Sequence, residues 1–261
     1  ITGATGQLGT ALLALEKSFP NYTFFPVNKA LLDISNFDEV DKFVLNNKLD
    51  ALINCAAFTN VDKAEDEVVL ADKVNHLAVE NLARIAKKNK IKLIHISTDY
   101  VFDGFANKPY RESDKTNPQG IYGHSKRNGE MALQRINPLN SIIVRTSWLY
   151  SQYGHNFMKT MLRLGEEREE LSVVSDQIGA PTLADDLAFA VLQAIPNISN
   201  ENVEVYHYAN SGKCSWFDFA TEIMKLAGLR CVVKPILSVA YPTKATRPAY
   251  SLMSCEKIAK T

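Results

Sequence analysis

Short apolar runs alternate along the first half of the chain with longer segments in which apolar residues recur every three or four positions. Continuous apolar runs are typical of strands buried on both faces, and the longer spacing is typical of helices that pack on one face. Strands separated by helices predict right-handed crossovers, and therefore an α/β fold with a doubly wound parallel sheet. The predicted strands are 22–27, 49–58, 92–98, 141–146 and 203–208, and the predicted helices are 8–19, 37–45, 65–89, 123–136, 156–169 and 216–226.

The pattern becomes less regular after residue 147, which predicts two parts. Residues 1–147 are expected to form the sheet domain. Residues 148–261 are expected to form mainly a smaller C-terminal lobe over the carboxyl edge of the sheet, where ligands bind in open α/β folds. A helix at about 183–195 is expected to pack back on the sheet domain. Because Gly3 follows so closely, Ile1 is expected to end a first strand whose earlier residues are missing.

The composition excludes several classes of protein. With 29 basic and 29 acidic residues, the chain has a formal net charge of +0. It therefore lacks the excess of positive charge that is typical of proteins that bind nucleic acid or an anionic membrane. Its apolar runs are far shorter than the roughly 20 residues that span a bilayer. The 4 cysteines lie far apart without CxxC spacing, and the histidines show no ligand spacing. We therefore expect reduced thiols, no metal site and a cytoplasmic protein.

Three glycines at the start of the chain carry the first chemical signal. Gly3, Gly6 and Gly9 lie between a strand end and an amphipathic helix, where glycines permit a tight turn and close backbone approach to a pyrophosphate. The helix N-terminus then offers free N–H groups to the phosphates. The spacing is GxxGxxG rather than the commoner GxGxxG, so a plain structural turn is the alternative to a dinucleotide-binding domain.

The end of the second predicted strand indicates which dinucleotide is used. An acidic residue there would bond the ribose 2′-hydroxyl of NAD, but the chain has Val27, Asn28 and Lys29. Without that carboxylate a 2′-phosphate is not repelled, and Lys29 can attract one. NADPH is therefore slightly favoured over NADH, with both cofactors left open. A merely polar loop is the alternative interpretation.

A tyrosine–lysine pair predicts the chemistry. Tyr122 and Lys126 stand four residues apart in a predicted helix and therefore share one face. A nearby ammonium favours the phenolate and lowers the tyrosine pKa, so Tyr122 can pass a proton to a carbonyl oxygen while hydride reaches the carbon. Thr98 would orient and polarise the same carbonyl. The YxxxK spacing alone is weak, and Thr98 and Asp99 are alternatively an ordinary strand end and a loop acid.

Together these residues resemble the extended short-chain dehydrogenase/reductases, which have a Rossmann-like fold. The sequence is closer still to the dTDP-4-dehydrorhamnose reductase family, and the resemblance covers nearly the whole chain in the expected order. Besides the residues above and Asn54–Ala57, it is carried by TNVDKAE (59–65), STDYVFDG (97–104), YGHSKRNGE (122–130), RTSWLY (145–150), NFMKTMLRL (156–164), LSVVSDQIGAPT (171–182) and YPTKATRP (241–248).

The resemblance implies a role for each part of the site. The catalytic set would be Thr98, Tyr122 and Lys126, with Tyr122 as proton donor and Lys126 also reaching the nicotinamide ribose. The cofactor-binding residues would be Tyr122 and Lys126 of the catalytic set, together with Gly3, Gly6, Gln7 and Leu8 at the pyrophosphate, Asn28, Lys29, Asp33 and Ile34 at the adenosine, and Ala57, Phe58 and Thr59 beside the nicotinamide. The substrate-binding residues would be Thr98, Asp99 and Trp148 at the sugar, and Gln177 and Arg247 at the nucleotide diphosphate. For Trp148, an ordinary core tryptophan is the alternative.

The chain departs from the family pattern at three places. Residues 125–130 read Ser-Lys-Arg-Asn-Gly-Glu where the family usually has Thr-Lys-Leu-Ala-Gly-Glu, a change that spares Tyr122 and Lys126. Ala11 stands where some members bear a glutamate that helps to bind a dimer-bridging Mg²⁺, so the resemblance leaves Mg²⁺ open. The RPxxSxL-type tail lacks its usual final Asn or Asp, and the chain stops before the family's closing helix. Both ends are therefore expected to be trimmed.

The resulting hypothesis is NAD(P)H-dependent reduction of the C4 ketone of dTDP-4-dehydro-6-deoxy-L-mannose to dTDP-L-rhamnose, in nucleotide-sugar and cell-surface polysaccharide biosynthesis. The expected partner is this dTDP-4-dehydro-sugar, and a homodimer is left open. One alternative is a nucleotide-sugar 4-epimerase, which uses the same Tyr/Lys chemistry but retains its NAD. The other is a non-catalytic NADP-binding regulatory subunit of the methionine adenosyltransferase β type.

Overall fold

The computed structural model describes residues 1–261, which fold around a four-stranded parallel sheet. In chain order the helices are α1 (Gln7–Ala14), α2 (Phe37–Asn47), α3 (Val61–Ala64), α4 (Val68–Asp72), α5 (Ala78–Asn89), α6 (Ile121–Ile136), α7 (Phe157–Glu167), α8 (Ala184–Ala194) and α9 (Trp216–Leu226). The strands are β1 (Ala51–Asn54), β2 (Lys92–Thr98), β3 (Ile142–Thr146), β4 (Leu149–Tyr150), β5 (Glu170–Val174), β6 (Ile178–Gly179), β7 (Thr182–Leu183), β8 (Glu204–His207), β9 (Cys214–Ser215) and β10 (Val232–Ile236). The main sheet has the order β1-β2-β3-β8. The predicted Rossmann-like α/β fold is confirmed.

The order of the strands reverses beside Thr2. Isolated parallel bridges join Thr2 to Val27 on one side and to Asn54 of β1 on the other. The chain therefore leaves Thr2 towards one edge of the sheet and, after Val27, crosses to the opposite side. In open α/β sheets such a reversal opens the crevice in which ligands bind. The glycine turn, which begins at Gly3, lies directly at this point.

The predicted strand 22–27 is wrong apart from the single bridge at Val27. Backbone hydrogen bonds to the start of the chain are confined to the last residues of this segment: Ile1 N donates to Phe25 O at 3.0 Å, and Val27 N donates to Ile1 O at 2.9 Å. Tyr22 packs instead into the core beneath α8, where its hydroxyl donates to Leu192 O at 3.3 Å. Tyr22 and Phe24 therefore pack against the core beneath the helices, whereas residues 25–27 pair with the start of the chain.

Helices cover both faces of the main sheet. Leu52 and Leu93 face a core shared with α2, α5 and α6, whereas their chain neighbours Ile53 and Ile94 face a core shared with α1 and α8. Successive side chains of a strand point to opposite faces, so a sheet covered on both sides needs continuous apolar runs. Because α8 and β8 belong to the second half of the chain but lie in these layers, the division after residue 147 stays a prediction.

A π-helical turn at Lys73–Leu77 interrupts the long helix predicted at 65–89 and joins α4 to α5. This wider turn changes which residues face the core, so Ala71 and Asn75 are buried while Leu70 and Leu77 are 38% and 41% exposed. The prediction of one uninterrupted helix over 65–89 is therefore wrong. Such turns occur frequently at functional sites, and Asn75 is the polar residue that this one directs inward.

The second half of the chain has a smaller core of its own. Strands β5 and β10 pair in parallel, and α7 and α9 pack on them through Met161, Leu171, Ile223 and Met224. Strand β10 lies in a tail that the sequence pattern predicts to be irregular, whereas β2 and α9 have the predicted bounds. None of the helices combines the length and apolarity that crossing a membrane requires.

Candidate active site

The glycine turn presents backbone N–H groups at the strand-order reversal. Gly3 has a φ of +64°, in the region that favours glycine, and Gly6 N donates to Gly3 O at 2.9 Å. A Cβ on Gly9 would lie 2.4 Å from Gly3 O, so only glycine permits this approach of α1 to the turn. No side chain caps the N-terminus of α1, which leaves its first N–H groups for a ligand. The turn therefore fits the pyrophosphate of a dinucleotide.

Gln7 connects this turn to the second half of the chain. Its Oε1 accepts hydrogen bonds from Ser151 Oγ at 3.0 Å and from Asn156 Nδ2 at 2.9 Å. The Leu8 side chain is buried in the core, so only its backbone is available to the predicted pyrophosphate site. Sequence reasoning missed the contact of Asn156, which also caps α7 by accepting from Lys159 N at 3.0 Å.

The loop after Val27 contains the residues predicted to select the cofactor. Asn28 Oδ1 accepts from Leu31 N at 3.0 Å, which closes a turn and leaves the Lys29 side chain exposed. The Asn28 side chain is thus occupied within the loop. Lys29 is the group in this turn that can attract a phosphate.

Asp33 and Ile34 follow directly on that turn. Burial disfavours the ionised form of Asp33, but hydrogen bonds from the Ser35 N–H and hydroxyl outweigh it and hold the pKa of Asp33 below its ordinary value. Lys29 and Lys73 stabilise the same carboxylate, so two lysines lie around it. The Ile34 side chain is buried. The positive charge of these lysines suits a 2′-phosphate.

Asn75 fixes the segment Ala57–Thr59, which follows β1. Phe58 N donates to Asn75 Oδ1 at 2.8 Å, and Asn75 Nδ2 donates to Phe58 O at 3.0 Å and to Ser125 Oγ at 3.1 Å. These bonds tie the predicted nicotinamide side of the site to α6, the helix of Tyr122. Sequence reasoning missed Asn75, although a polar residue within an apolar helical pattern was an available signal.

Thr98 and Asp99 lie at the carboxyl end of β2 and are almost completely buried. Thr98 Oγ1 donates to Asp99 Oδ1 at 2.9 Å and accepts from Tyr100 N at 3.2 Å. Burial raises the pKa of Asp99 to about 6, in opposition to the hydrogen bond from Thr98. These bonds hold the Thr98 hydroxyl in one place.

Tyr122 lies in the first turn of α6, next to the end of β2. Its ring meets the ring of Tyr100 edge-on, with 5.5 Å between centroids. A Cβ on Gly123 would lie 2.3 Å from Tyr100 O, so glycine lets the helix approach this closely. Burial raises the pKa of Tyr122, and hydrogen bonding with Thr98 partly offsets the effect. Tyr122 is therefore protonated at neutral pH and has a proton to give.

The hydrogen bonds of Lys126 are directed at β2 and not at Tyr122. Lys126 Nζ donates to Ile96 O at 2.7 Å and lies 3.4 Å from His95 Nε2. Burial lowers the pKa of Lys126 to about 8, in opposition to the charge of Glu130. The predicted lowering of the Tyr122 pKa is wrong for this state, because burial prevails and raises it.

Trp148 follows β3 and has a φ of +49°, which is unusual for a bulky side chain. Its indole stacks on Trp216, with 3.6 Å between centroids and 11° between planes. A Cβ on Gly179 would lie 2.6 Å from Trp148 Cε2, and Thr182 N donates to Trp148 O at 3.2 Å. The loop 177–182 therefore packs directly on Trp148. Sequence reasoning missed Trp216, which it treated only as the first residue of a helix.

Gln177 and Arg247 are held by residues from distant segments. Gln177 Nε2 donates to Ser238 Oγ at 3.0 Å. Gln177 makes no hydrogen bond to Thr98, Tyr122 or Lys126. Arg247 Nη2 lies 2.5 Å from Asp62 Oδ2, while its Nη1 is buried without a hydrogen-bond partner. The family-typical stretches 59–65 and 241–248 are thus in contact through this ion pair. A buried guanidinium nitrogen without a partner suits an anionic ligand.

The sequence pattern also predicts no metal site in this chain. No group of three or more His, Cys, Asp or Glu side chains is placed to hold a metal ion. Ala11, at the position where some relatives were expected to carry a glutamate, is fully buried in the core beneath α1.

Comparisons with known proteins show the family to which the chain belongs. The model of the family described as RmlD substrate binding domain matches residues 1–261. A dTDP-4-dehydrorhamnose reductase of Aggregatibacter actinomycetemcomitans is 42% identical over an alignment of 267 positions, gaps included, that covers 99% of this chain and 90% of that protein. The crystal structure of a dTDP-4-dehydrorhamnose reductase from Clostridium acetobutylicum superposes with a TM-score of 0.94 at 43% identity, covering 100% of this chain and 91% of its own. That of a dTDP-4-dehydrorhamnose reductase from Bacillus anthracis in complex with NADP has a TM-score of 0.93 at 41% identity, covering 99% and 90%. The chain therefore belongs to the RmlD substrate binding domain family, which is the family of the dTDP-4-dehydrorhamnose reductases.

Proposed function

We propose that the protein reduces the C4 ketone of dTDP-4-dehydro-6-deoxy-L-mannose to dTDP-L-rhamnose, with NADPH as the reductant and NADH as the alternative. The observation that carries this proposal is the cluster of Thr98, Tyr122 and Lys126 on the same edge of the sheet as the glycine turn. Relatives at about 40% identity carry the name of this reductase, and one was solved with NADP.

The chemistry requires one hydride and one proton, which together convert the ketone into a hydroxyl. NADPH, when bound, supplies the hydride. Tyr122 gives its phenolic proton to the ketone oxygen, and the raised pKa of Tyr122 keeps that proton in place beforehand. When the substrate is bound, the Thr98 hydroxyl turns its proton from Asp99 Oδ1 to the same oxygen and orients it. The ammonium of Lys126 stabilises the phenolate that Tyr122 leaves behind.

The substrate side of the site is built from both halves of the chain. We assign the sugar to Thr98, Asp99 and the face of Trp148, whose indole is backed by Trp216. The nucleotide diphosphate is assigned to Gln177 and to Arg247, whose buried Nη1 has no hydrogen-bond partner in the protein. The ion pair with Asp62 holds the guanidinium of Arg247 in position for these phosphates.

The proposal is tested by mixing purified protein with NADPH and the keto-sugar nucleotide. We expect the absorbance of reduced nicotinamide to fall as an equal amount of dTDP-L-rhamnose forms. No turnover, with binding of both compounds demonstrated, contradicts the proposal. Interconversion of epimers without loss of NADPH favours the 4-epimerase instead, and binding of NADP(H) together with a protein partner but no turnover favours the regulatory subunit.

The reduction is expected to slow as the pH rises above about 8. Burial lowers the pKa of Lys126 to about 8, so the ammonium that stabilises the phenolate is lost in this range. The pKa of Tyr122 is raised, so its own ionisation lies at higher pH. The measurement is the profile of kcat/KM from about pH 6 to about pH 10, which reports groups of the free protein. A profile that stays flat to the upper end contradicts this assignment.

Trp216 is expected to act on the substrate through Trp148. In Trp216→Ala the stacked partner of Trp148 is lost, so KM for the sugar nucleotide should rise about three- to tenfold while kcat changes less, a range set by the usual energy of an aromatic pair. Trp216→Phe keeps an aromatic face and serves as the control, with KM near that of the wild type. Unchanged KM in Trp216→Ala would show that Trp148 does not depend on this contact.

A further inference from the structure

Four buried side chains form a row of polar contacts through the main sheet. Thr2 Oγ1 lies 2.7 Å from Asn54 Oδ1, Asn54 Nδ2 lies 3.0 Å from His95 Nδ1, and His95 Nε2 lies 3.4 Å from Lys126 Nζ. Thr2 lies between Val27 and β1, Asn54 is on β1, His95 is on β2 and Lys126 is on α6. Each of the four side chains is 3% exposed or less. Of the four, only Lys126 belongs to the proposed catalytic set.

The donors and acceptors along this row select one tautomer of His95. The Thr2 hydroxyl accepts from Ala56 N at 3.4 Å, and the acceptor for its own proton is Asn54 Oδ1. Asn54 therefore directs its amide N–H at His95 Nδ1, which must accept. A neutral imidazole that accepts at Nδ1 carries its proton on Nε2.

The proton on Nε2 of His95 faces Lys126 Nζ. Burial holds the pKa of His95 well below its ordinary value, and the charge of Lys126 acts in the same direction, so the imidazole is neutral. An ammonium at Lys126 then meets a second donor, whereas an amine can accept from it. The 3.4 Å separation is longer than the 2.7 Å bond from Lys126 Nζ to Ile96 O, as expected when two donors face each other.

We propose that His95 is a positioning residue that sets the pH at which Lys126 loses its ammonium form. Thr2 and Asn54 hold the imidazole with its Nε2–H directed at Lys126, and this N–H favours the amine. The inference rests on the proposed function in one respect, because that pH then becomes the alkaline limit of the reduction.

Charged and titratable groups surround Lys126 on each neighbouring element. Glu130, one turn further along α6, favours the ammonium and is ionised through its pair with Arg145 of β3. Cys55, which follows β1, would favour it as a thiolate, but burial raises the pKa of that thiol to about 12. His95 on β2 is therefore the neighbour that opposes the ammonium near neutral pH.

Nuclear magnetic resonance of protein labelled with ¹⁵N-histidine tests the tautomer directly. The His95→Gln variant identifies the His95 signals among those of the 5 histidines. We expect the pattern of an imidazole protonated at Nε2 both at about pH 7 and at about pH 9. A pattern protonated at Nδ1 overturns the proposal. This measurement needs no turnover, so it decides the question even if the reductase assay fails.

Two substitutions at His95 test its effect on Lys126. Glutamine places an amide oxygen near the former Nε2, where it can accept from the ammonium, whereas asparagine keeps the bond to Asn54 but does not reach Lys126. Both remove the opposing N–H, so the alkaline limb of kcat/KM should move to higher pH in both, by about one unit in His95→Gln. If His95 instead accepts from the ammonium, the limb moves to lower pH in His95→Asn and stays in place in His95→Gln. That outcome, or an unchanged limb in both variants, overturns the proposal.

His207→Gln is the matched control for disturbance of the core. His207 is equally buried, but it lies on β8 and contacts Arg145 Nη1 and Tyr110 O rather than Lys126. We expect this variant to lose stability while the position of the alkaline limb stays unchanged. If the protein shows no reductase activity, the pKa of Lys126 can be measured directly by ¹³C titration of its Cε. This pKa should rise in both His95 variants and stay unchanged in His207→Gln.

Discussion

A Tyr122→Phe variant is expected to bind NADPH as the wild type does and to reduce the keto-sugar about 10²- to 10⁴-fold more slowly, the usual contribution of a positioned general acid. The substitution removes the phenolic proton and leaves the ring in its edge-on contact with Tyr100. Steady-state kcat and KM, with NADPH binding measured by fluorescence, separate loss of chemistry from loss of binding. Because the fold keeps all other contacts, the thermal unfolding temperature should change little.

The control for this experiment is Tyr206→Phe. Tyr206 lies on β8, and its hydroxyl donates to Glu204 Oε2 at 3.1 Å, away from the glycine turn and α6. This variant loses a hydroxyl of the same kind and should keep the wild-type rate. If Tyr122→Phe retained wild-type turnover, Tyr122 would not be the proton donor, and a non-catalytic role for the protein would gain support.

A Glu130→Gln variant is expected to lose about 3–5 kcal/mol of unfolding free energy, because it leaves the buried Arg145 charge without its partner. Arg145 Nε donates to Glu130 Oε1 at 2.9 Å and Nη2 to Oε2 at 2.7 Å, and the two side chains are 3% and 0% exposed. This bidentate pair joins α6 to β3. Urea unfolding of wild type and variant measures the difference.

The exposed pair Arg163–Glu167 provides the matched control. Its N···O distance is 2.8 Å, but the two side chains are 58% and 51% exposed, so water screens the charges. Glu167→Gln should therefore change the unfolding free energy little. Equal losses in Glu130→Gln and Glu167→Gln would show that burial of the Glu130–Arg145 pair does not determine its contribution.

The same ion pair predicts how stability depends on pH. Burial alone would raise the pKa of Glu130, but the hydrogen bonds and charge of Arg145 outweigh it and lower the pKa below the ordinary 4.5. A depressed carboxyl pKa contributes stability that is present above the unfolded value and is lost as the pH falls through the folded one. The unfolding free energy should therefore fall less steeply below about pH 4.5 in Glu130→Gln than in the wild type, as measured by urea unfolding at a series of pH values.

Local sequence signals predicted much of the fold and part of the site. The bounds of β2 and α9 follow from the apolar run and the amphipathic spacing, which depend on neighbouring residues alone. The spacing of Gly3 and Gly9 likewise marked the turn that the structure places at the strand-order reversal. Of the predicted strand 22–27 only residues 25–27 pair with the start of the chain, and a π-helical turn at Lys73–Leu77 interrupts the predicted helix 65–89.

The sequence by itself therefore determined the fold class and the family resemblance, and it predicted that Thr98, Tyr122 and Lys126 belong to one site. Only the tertiary structure decided what surrounds that cluster. It showed that Asn75 is hydrogen-bonded to the backbone of Phe58, that Trp216 stacks on Trp148, and that His95 lies beside Lys126. It also reversed the expected direction of the Tyr122 pKa. The physical reason is that periodicity and capping arise from residues close in the chain, whereas desolvation and hydrogen-bond partners arise from residues that only the folded chain brings together.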